Sequence, residues 1–256
     1  MKATLFAAGL MITIASPAVA QVKGIRIRVG AGAQLQPKYI GSDQAKIAPL
    51  FHFDSARGTN QFRFKAPDDA IGFGLIGGRG FSAGPSINFQ GKRRESDVGA
   101  LVGTVPATVE VGGFAQYDTG SFRVRGDIRK GIGGHKGVVG SVGIDKYWRD
   151  GDRYVFSIGP RLTLSDERYQ QAYFGVSPEA SLATGLPAYR PNAGIHAAGL
   201  VSGLTYQFNP RLGLFGYARY DRLIGDAAKS PIVREFGSRD QYAGGLGLTY
   251  TFTVRP

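Results

Sequence analysis

The residues best placed to do chemistry in this chain are arginines and acids that alternate with apolar residues. The clearest example is the segment 122–129, where every second residue is apolar or glycine and the others are three arginines and one aspartate. Side chains of a β-strand point alternately to its two faces. The segment is therefore predicted to be a strand with one apolar face and one charged face, and the charged face can bind anions or form internal ion pairs.

Other motifs give no sign of catalysis. The three histidines, His52, His135 and His196, do not have the spacing of a metal site, and no G-x-S-x-G motif occurs. Residues 72–77 match G-x-G-x-x-G. A dinucleotide site needs a helix after that motif, and here the glycines lie within one predicted strand and precede another. We expect no catalytic residues, no metal and no cofactor, and we expect that the protein is not an enzyme.

The first twenty residues have the pattern of a secretory signal peptide. A basic start is followed by an apolar run at 5–14 that is too short to span a bilayer as a helix, and Ala18-Val19-Ala20 supplies small residues for cleavage. We expect a signal peptide at 1–20 and one exported domain at 21–256. No later segment approaches 18 consecutive apolar residues, so helical membrane spans are not expected.

The composition of the exported part favours many strands and anionic partners. The chain has 39 glycines, 12 tyrosines and 16 phenylalanines and no cysteine, so no disulfide can stabilise it. Without the signal peptide, 30 basic and 19 acidic residues leave a formal charge of +11. Anionic lipid, lipopolysaccharide or small anionic solutes would suit that charge. Nucleic acid is not expected as a partner, because the protein is exported.

Alternation recurs often enough to predict the fold. We expect an all-β protein, a transmembrane antiparallel up-and-down β-barrel of about 12 strands, with its apolar side chains toward lipid and its charges toward the lumen. The predicted strands are 25–36, 45–54, 60–66, 70–80, 84–90, 107–117, 120–130, 137–148, 153–165, 195–208, 211–224 and 241–252.

The connections between the predicted strands alternate in length. Short turns are expected at 118–119, 149–152 and 209–210, and long connections at 91–106, 166–194 and 225–240. Bacterial barrels have short periplasmic turns and longer outer loops. This pattern predicts a protein of the bacterial outer membrane with both termini in the periplasm. The connection 166–194 is long enough to fold inward or to cap the mouth.

Strand parity predicts which charged residues face the lumen. These are Arg26, Arg28, Arg63, Lys65, Glu110, Arg123, Arg125, Asp127, Arg129, Asp145, Arg161, Arg219 and Asp221. They can form a salt-bridged interior that only fills the barrel, or a basic lumen that favours small anionic solutes. A second group is expected to form ion pairs that fix the last long loop: Arg219, Asp221, Arg222, Asp226 and Arg239.

The C-terminal third resembles a known family. The matching stretches are YFGVSPE at 173–179, GLPAY at 185–189, GYARYDRLIGDAA at 216–228, SPIV at 230–233 and GSR at 237–239. In this combination the chain resembles the MipA/OmpV family of outer-membrane proteins. The N-terminal half is similar only in looser features, such as Pro37 and Tyr39 and its glycine-rich strands.

The resemblance implies a cell-envelope scaffold. Members of the family are described as interacting with a lytic transglycosylase and as linking a murein hydrolase with a murein synthase. The residues themselves leave a second hypothesis open, a narrow pore with a basic lumen. Short periplasmic turns are a difficulty for the scaffold, because a standard interface buries about 800 Å² on each partner.

Overall fold

The computed structural model describes residues 24–255, so the expected signal peptide at 1–20 lies outside the described residues. Twelve strands account for most of this range: β1 (Ile25–Pro37), β2 (Ala45–Arg57), β3 (Ile71–Gly72), β4 (Ile76–Gly78), β5 (Phe81–Gln90), β6 (Thr108–Asp118), β7 (Phe122–Gly133), β8 (Val138–Asp150), β9 (Tyr154–Ser165), β10 (Gly194–Gln207), β11 (Leu212–Leu223) and β12 (Asp240–Val254). Five short helices lie between strands: α1 (Glu95–Val98), α2 (Glu167–Phe174), α3 (Pro178–Thr184), α4 (Gly225–Lys229) and α5 (Pro231–Phe236).

The strands form one curled antiparallel sheet. Its order is β2-β1-β12-β11-β10-β9-β8-β7-β6-β5-β3, and β4 also pairs with β5. Consecutive strands are thus neighbours from β5 to β12, and β1 pairs with β12 with Ile25 opposite Val254. The predicted all-β, up-and-down antiparallel architecture with twelve strands is confirmed. None of the helices found in residues 24–255 combines the length and the apolar character needed to cross a membrane.

The outer face of the wall is apolar and exposed. On β2, Ile47 and Phe51 are 80% and 76% exposed, and on β7, Ile128 is 63% exposed. The residues that alternate with this exposed face are less exposed and point inward. Exposed apolar side chains on this scale mark a surface that contacts something other than water, and an apolar band around a barrel fits a bilayer.

Glycine lets neighbouring strands approach closely. A Cβ at Gly112 would lie 1.9 Å from the carbonyl oxygen of Ile128, and one at Gly159 would lie 2.0 Å from that of Ile144. No real side chain tolerates such contacts. The high glycine content is therefore partly a requirement of this wall.

The two ends of the barrel differ. One end, which we call the turn end, carries the short turns 119–121, 151–153 and 208–211 together with the start of β1 and the end of β12. The other, the loop end, carries the long connections 91–107 and 166–193, as well as 224–239. The alternation of connection lengths follows the prediction.

One predicted strand is wrong. Residues 60–66 form no strand, and the predicted strand 70–80 is divided into β3 and β4. Within residues 24–255, β2 pairs with β1 but not with β3, β4 or β5, so the hydrogen-bonded wall has a seam between β2 and the β3–β5 side. The chain between β2 and β3 leaves the wall because Pro67 cannot donate to a ladder and Asp68 and Asp69 have arginine partners inside.

The long connections pack together over the loop end. Tyr169, Tyr173 and Phe174 of α2 form one buried cluster with Leu223 and Val233. A second cluster joins residues of α5 and of the connections 38–44 and 91–107. We call this layer the cap. Residues 166–193 thus cover the mouth, one of the two roles expected for this loop.

Candidate functional site: the filled lumen

The candidate site is the lumen, which residues 58–70 cross; we call this stretch the internal segment. Phe62, Phe64 and Ala66 are buried, and the residues between them are exposed. Phe62 contacts β1 and Phe64 contacts β8, two strands that stand far apart in the sheet order. The segment therefore lies inside the curled sheet. Its alternation reflects packing against the opposite wall.

At the turn end, Phe62 lies between the arginines of β1 and the β8–β9 turn. The guanidinium carbons of Arg26 and Arg28 lie 4.8 Å and 4.2 Å from its ring centroid. Its backbone N–H donates to Asp152 at 2.9 Å, and its carbonyl accepts from Arg149 at 3.0 Å. Asp152 also pairs with Arg26 at 2.8 Å, which ties the β8–β9 turn to β1 across the opening.

In the middle of the lumen, the acidic pair of the internal segment meets the arginines of the wall. Asp68 accepts two hydrogen bonds from Arg161, at 2.8 Å and 3.0 Å. Asp69 accepts two from Arg123. Asp145 of β8 accepts from both arginines, at 2.6 Å each. Asp145 and Arg123 are each only 1% exposed, so this group forms a closed network.

The network continues along the wall toward the loop end. Arg125 and Arg129 pair with Asp127 at 2.8 Å and 3.2 Å, and Arg129 also pairs with Glu110 at 3.0 Å. Glu110 reaches His135 beneath the cap at 3.2 Å. Every one of these side chains is buried or nearly so. They join the middle of the barrel to its capped end.

The remaining residues expected in the lumen are also paired, except one. Arg219 pairs with Asp221, and Arg28 and Lys65 lie 3.9 Å and 3.3 Å from Asp54. Lys65 and Arg63 stand on the internal segment and not on the wall. Arg63 has no ion pair within 4 Å among the described residues.

The ion pairs determine how much positive charge the lumen offers to a solute. Removing charges from water is expensive, and the guanidinium groups of Arg123, Arg125, Arg129 and Arg161 recover the cost through carboxylates at hydrogen-bond distance. Because those guanidinium groups are already occupied, this part of the lumen offers no free arginine to a passing anion. The geometry is that of a salt-bridged filling, the first of the two interpretations that the sequence left open.

The cap is fixed by a buried arginine. Arg93 is 1% exposed and donates to the carbonyls of Tyr173 at 2.7 Å, Gly103 at 3.1 Å and Val102 at 3.3 Å. Burial lowers the pKa of its guanidinium. Burial also raises the pKa of the Tyr169 phenol well above its ordinary value. Both observations describe an interior shielded from water.

The structure separates the residues expected to form one cluster at the loop end: Arg219, Asp221, Arg222, Asp226 and Arg239. Arg222 pairs with Asp240 at 2.7 Å, whereas Asp226 pairs with Lys229 at 3.1 Å and accepts from the Asn192 backbone at 3.0 Å. Arg239 has no ion pair within 4 Å in the part of the chain that the structure describes. These are separate contacts: the Arg222–Asp240 pair joins β11 to β12, and the contacts of Asp226 lie within the long connections.

One serine–histidine pair is buried and connects two neighbouring strands. Ser165 Oγ lies 2.9 Å from His196 Nδ1, and the two residues are 4% and 3% exposed beneath α2. No carboxylate in residues 24–255 accepts from His196, and no group of three His, Asp or Glu side chains in that range could hold a metal. The pair connects β9 to β10 at the edge of the cap.

Four acids that organise the lumen were not singled out by the sequence analysis: Asp54, Asp68, Asp69 and Asp152. The signal for two of them was present. A proline followed by two aspartates is typical of a turn that ends a strand, and such a turn at 67–69 argues against continuing the wall. Asp54 and Asp152 each have one local contact, with His52 and Arg149, but their contacts across the lumen are with residues far away in the chain.

The chain was compared with curated proteins, with solved structures and with models of protein families. No curated protein matches the chain in sequence. Among solved structures, the chain is similar to the N-terminal β-barrel domain of Pseudomonas aeruginosa OprF, with 13% identity over 69% of this chain and 100% of that one and a TM-score of 0.29. It is also similar to Pseudomonas aeruginosa OprG, with 11% identity over 91% and 97% and a TM-score of 0.28.

A third structure, the TodX deltaS2S3 mutant monoaromatic hydrocarbon channel, is 10% identical over 91% of each chain, with a TM-score of 0.35. The family match is much more specific. The model described as "MltA-interacting protein MipA" matches residues 29–252, which is nearly the whole barrel and includes every stretch on which the family resemblance was based. The chain therefore belongs to the MipA family.

Proposed function

We propose that this outer-membrane barrel holds a murein-remodelling enzyme at the membrane, with the turn end in the periplasm as the docking face. The family description names an interaction with MltA, a lytic transglycosylase. A murein synthase is the second partner that such a scaffold would join. The proposal requires a surface at the turn end that a soluble protein can recognise.

The observation that carries the proposal is a ring of exposed arginines at the turn end. We call it the arginine ring, and its members are Arg57, Arg79, Arg153, Arg211 and Arg255. They stand at the end of β2, in three different turns or at their edges, and after β12. None has an ion pair within 4 Å among residues 24–255.

Arginine is enriched at protein interfaces because its planar group makes several directed hydrogen bonds. Long side chains from separate turns also extend the reach of a face that has little backbone. A partner with an acidic surface could contact several turns at once and so approach the area that a stable interface needs. The filled lumen supports this role, since ion pairs across the barrel keep the turns in fixed positions.

Replacement of arginines in neighbouring turns tests the proposal. The variant Arg153→Gln/Arg211→Gln should recover several-fold less lytic transglycosylase from envelope extracts, and the difference should shrink as salt is raised. The matched control is Arg168→Gln/Arg234→Gln, which removes two exposed arginines from the loop end. Equal recovery with both variants would contradict the proposal.

A narrow anion pore is the second candidate, and one observation favours it. The side of the internal segment that faces the seam carries exposed Arg63 and Lys65, and Gly74 on the opposite edge is exposed as well. Arg63 also has no ion pair within 4 Å among residues 24–255, unlike the arginines of the network. Planar-bilayer recordings of the refolded chain test it: steps with anion preference that Arg63→Gln diminishes are expected, and silence in all conditions would refute it.

A further inference from the structure

A second group of cations lies at the loop end, directly above the seam. A cavity of about 260 Å³ is lined there by Lys38, Lys46, Lys92, Arg94 and Asp97. Lys38 follows β1, Lys46 lies near the start of β2, and the other three residues follow β5. The cavity thus joins the two edges that the sheet leaves unpaired. We call it the seam pocket.

The seam pocket differs from the lumen in its charge balance. No carboxylate in residues 24–255 lies within 4 Å of any of its four cationic groups. Lys38 Nζ donates to the side-chain oxygen of Gln44 at 2.6 Å, which is neutral. The one acid, Asp97, accepts from the Arg94 backbone N–H at 3.1 Å. Four positive groups therefore converge with one partly engaged carboxylate among them.

The pocket brings its cations together across the seam. Lys46 Nζ lies 3.7 Å from the point where a Cβ on Gly91 would stand, so the lysine of β2 reaches the chain that leaves β5. Cationic groups that line one cavity repel each other. An anion bound between them would remove the repulsion and would link the two edges of the wall. Lys46 and Lys38 are half-buried, which strengthens their attraction for an anion over that of a free surface lysine.

The surroundings indicate what the anion is attached to. Ile47 follows Lys46 on the outward face of β2 and is 80% exposed, and Phe89 lies two residues before Gly91 on the outward face of β5 and is 65% exposed. Each edge of the seam thus carries a cationic residue of the pocket with an exposed apolar residue close to it in the chain: Lys46 beside Ile47, and Lys92 three residues after Phe89. A molecule with an anionic head and apolar chains matches both features.

We propose that the seam pocket binds the phosphate group of a phosphorylated glycolipid of the outer leaflet, whose acyl chains lie along Ile47 and Phe89. A phosphate oxygen cluster accepts hydrogen bonds from several ammonium and guanidinium groups at once. This inference rests on the proposed orientation, in which the loop end faces outward. The bound lipid closes the outer end of the seam.

The test uses the full-length chain refolded in phosphatidylcholine nanodiscs. Lipid A with both phosphates, the same lipid without phosphates, and inorganic phosphate are added separately, and the thermal unfolding midpoint is followed. Phosphorylated lipid A should raise the midpoint of the unaltered protein, and the dephosphorylated lipid should not. The half-saturating amount should rise roughly 25-fold in Lys46→Gln/Lys92→Gln, or about fivefold for each lysine lost near a lipid surface.

Two variants separate the pocket from general charge. Lys130→Gln/Arg168→Gln removes two exposed cations at the same end and should bind like the unaltered protein. Lys46→Arg/Lys92→Arg keeps the charges and should retain binding, which controls for folding. The proposal would be overturned if Lys130→Gln/Arg168→Gln weakened lipid A binding as much as Lys46→Gln/Lys92→Gln does. It would also be overturned if inorganic phosphate raised the unfolding midpoint as much as lipid A at equal concentration. Recovery of a murein enzyme does not enter this assay, so the proposed scaffold role can fail independently.

Discussion

The internal segment should detach from the barrel wall more often when its two acids, Asp68 and Asp69, are replaced by asparagine. In Asp68→Asn/Asp69→Asn, the side chains keep nearly the same shape and lose their charge. Each carboxylate of the unaltered protein makes two hydrogen bonds to a guanidinium group. Hydrogen bonds to charged groups contribute about 1.5–3 kcal/mol each, and breaking a buried ion pair on one side costs about 3–5 kcal/mol.

The expected effect is smaller than the sum of those values. Asp145 still accepts from Arg123 and Arg161 at 2.6 Å each, so neither arginine is left without a carboxylate. The asparagines also retain one acceptor oxygen. We therefore expect about 2 kcal/mol for each acid, or about 4 kcal/mol for both, which is roughly a 1,000-fold increase in the population of the released segment.

A single cysteine reports that population. The chain contains no cysteine, so Ala66→Cys introduces a unique thiol at a position that is 5% exposed. When opening and closing are fast compared with modification, the rate of labelling by a water-soluble maleimide follows the open population. The labelling rate should increase about 1,000-fold in the double variant, by the same conversion from free energy.

The matched control removes a carboxylate from an exposed pair. Asp240→Asn disrupts the contact with Arg222, where both side chains are accessible to water. Exposed ion pairs contribute little, so labelling at position 66 should not change. An increase below tenfold in the double variant would refute the assignment of Asp68 and Asp69 as the residues that hold the segment. An equal increase in the control would refute it as well.

Three further predictions concern the wall and the cap. Ile128→Lys should lower barrel stability in bilayers by about 2–4 kcal/mol, because it places a charge against lipid, whereas Leu182→Lys in the cap should not; equal denaturant midpoints would contradict the lipid-facing assignment. Arg93→Met should loosen the cap by leaving three carbonyls without their donor, seen as faster hydrogen exchange in α2; unchanged exchange would exclude this role. The hydrogen bond from the Asn192 backbone lowers the pKa of Asp226, so this contact stabilises the fold at neutral pH. The contact is lost as the pH falls through the pKa of the folded state, which lies below the ordinary value of about 3.9. Hydrogen exchange at the Asn192 amide should become faster in that pH range, and Asp226→Asn should remove the pH dependence.

The sequence determined the wall. Alternation with a period of two is a local property of a strand, because successive side chains point to opposite faces. The segment 122–129 therefore showed its apolar and charged faces without any knowledge of its neighbours. Turn residues are equally local, so the alternation of short and long connections distinguished the two ends of the barrel without any information on distant contacts.

The same local property explains the one wrong strand. Residues 61–66 alternate because one face of the internal segment packs on the opposite wall, and a packed segment inside the barrel has the same pattern as a strand in its wall. Only hydrogen bonds to neighbours distinguish the two, and they depend on chain positions far away. Asp68 and Arg161, for example, are 93 residues apart.

The tertiary structure likewise decided which cationic side chains have no carboxylate partner. The sequence placed many arginines on the inward face of the strands and left both a filled interior and an anion path open. Pairing with Asp68, Asp69 and Asp145 neutralises the arginines in the middle of the lumen. Among the described residues, Lys46 and Lys92 remain unpaired at the seam because no carboxylate lies within 4 Å of their ammonium groups. Residue type determined the charge, and the contacts between distant segments determined which charges remain available for a ligand.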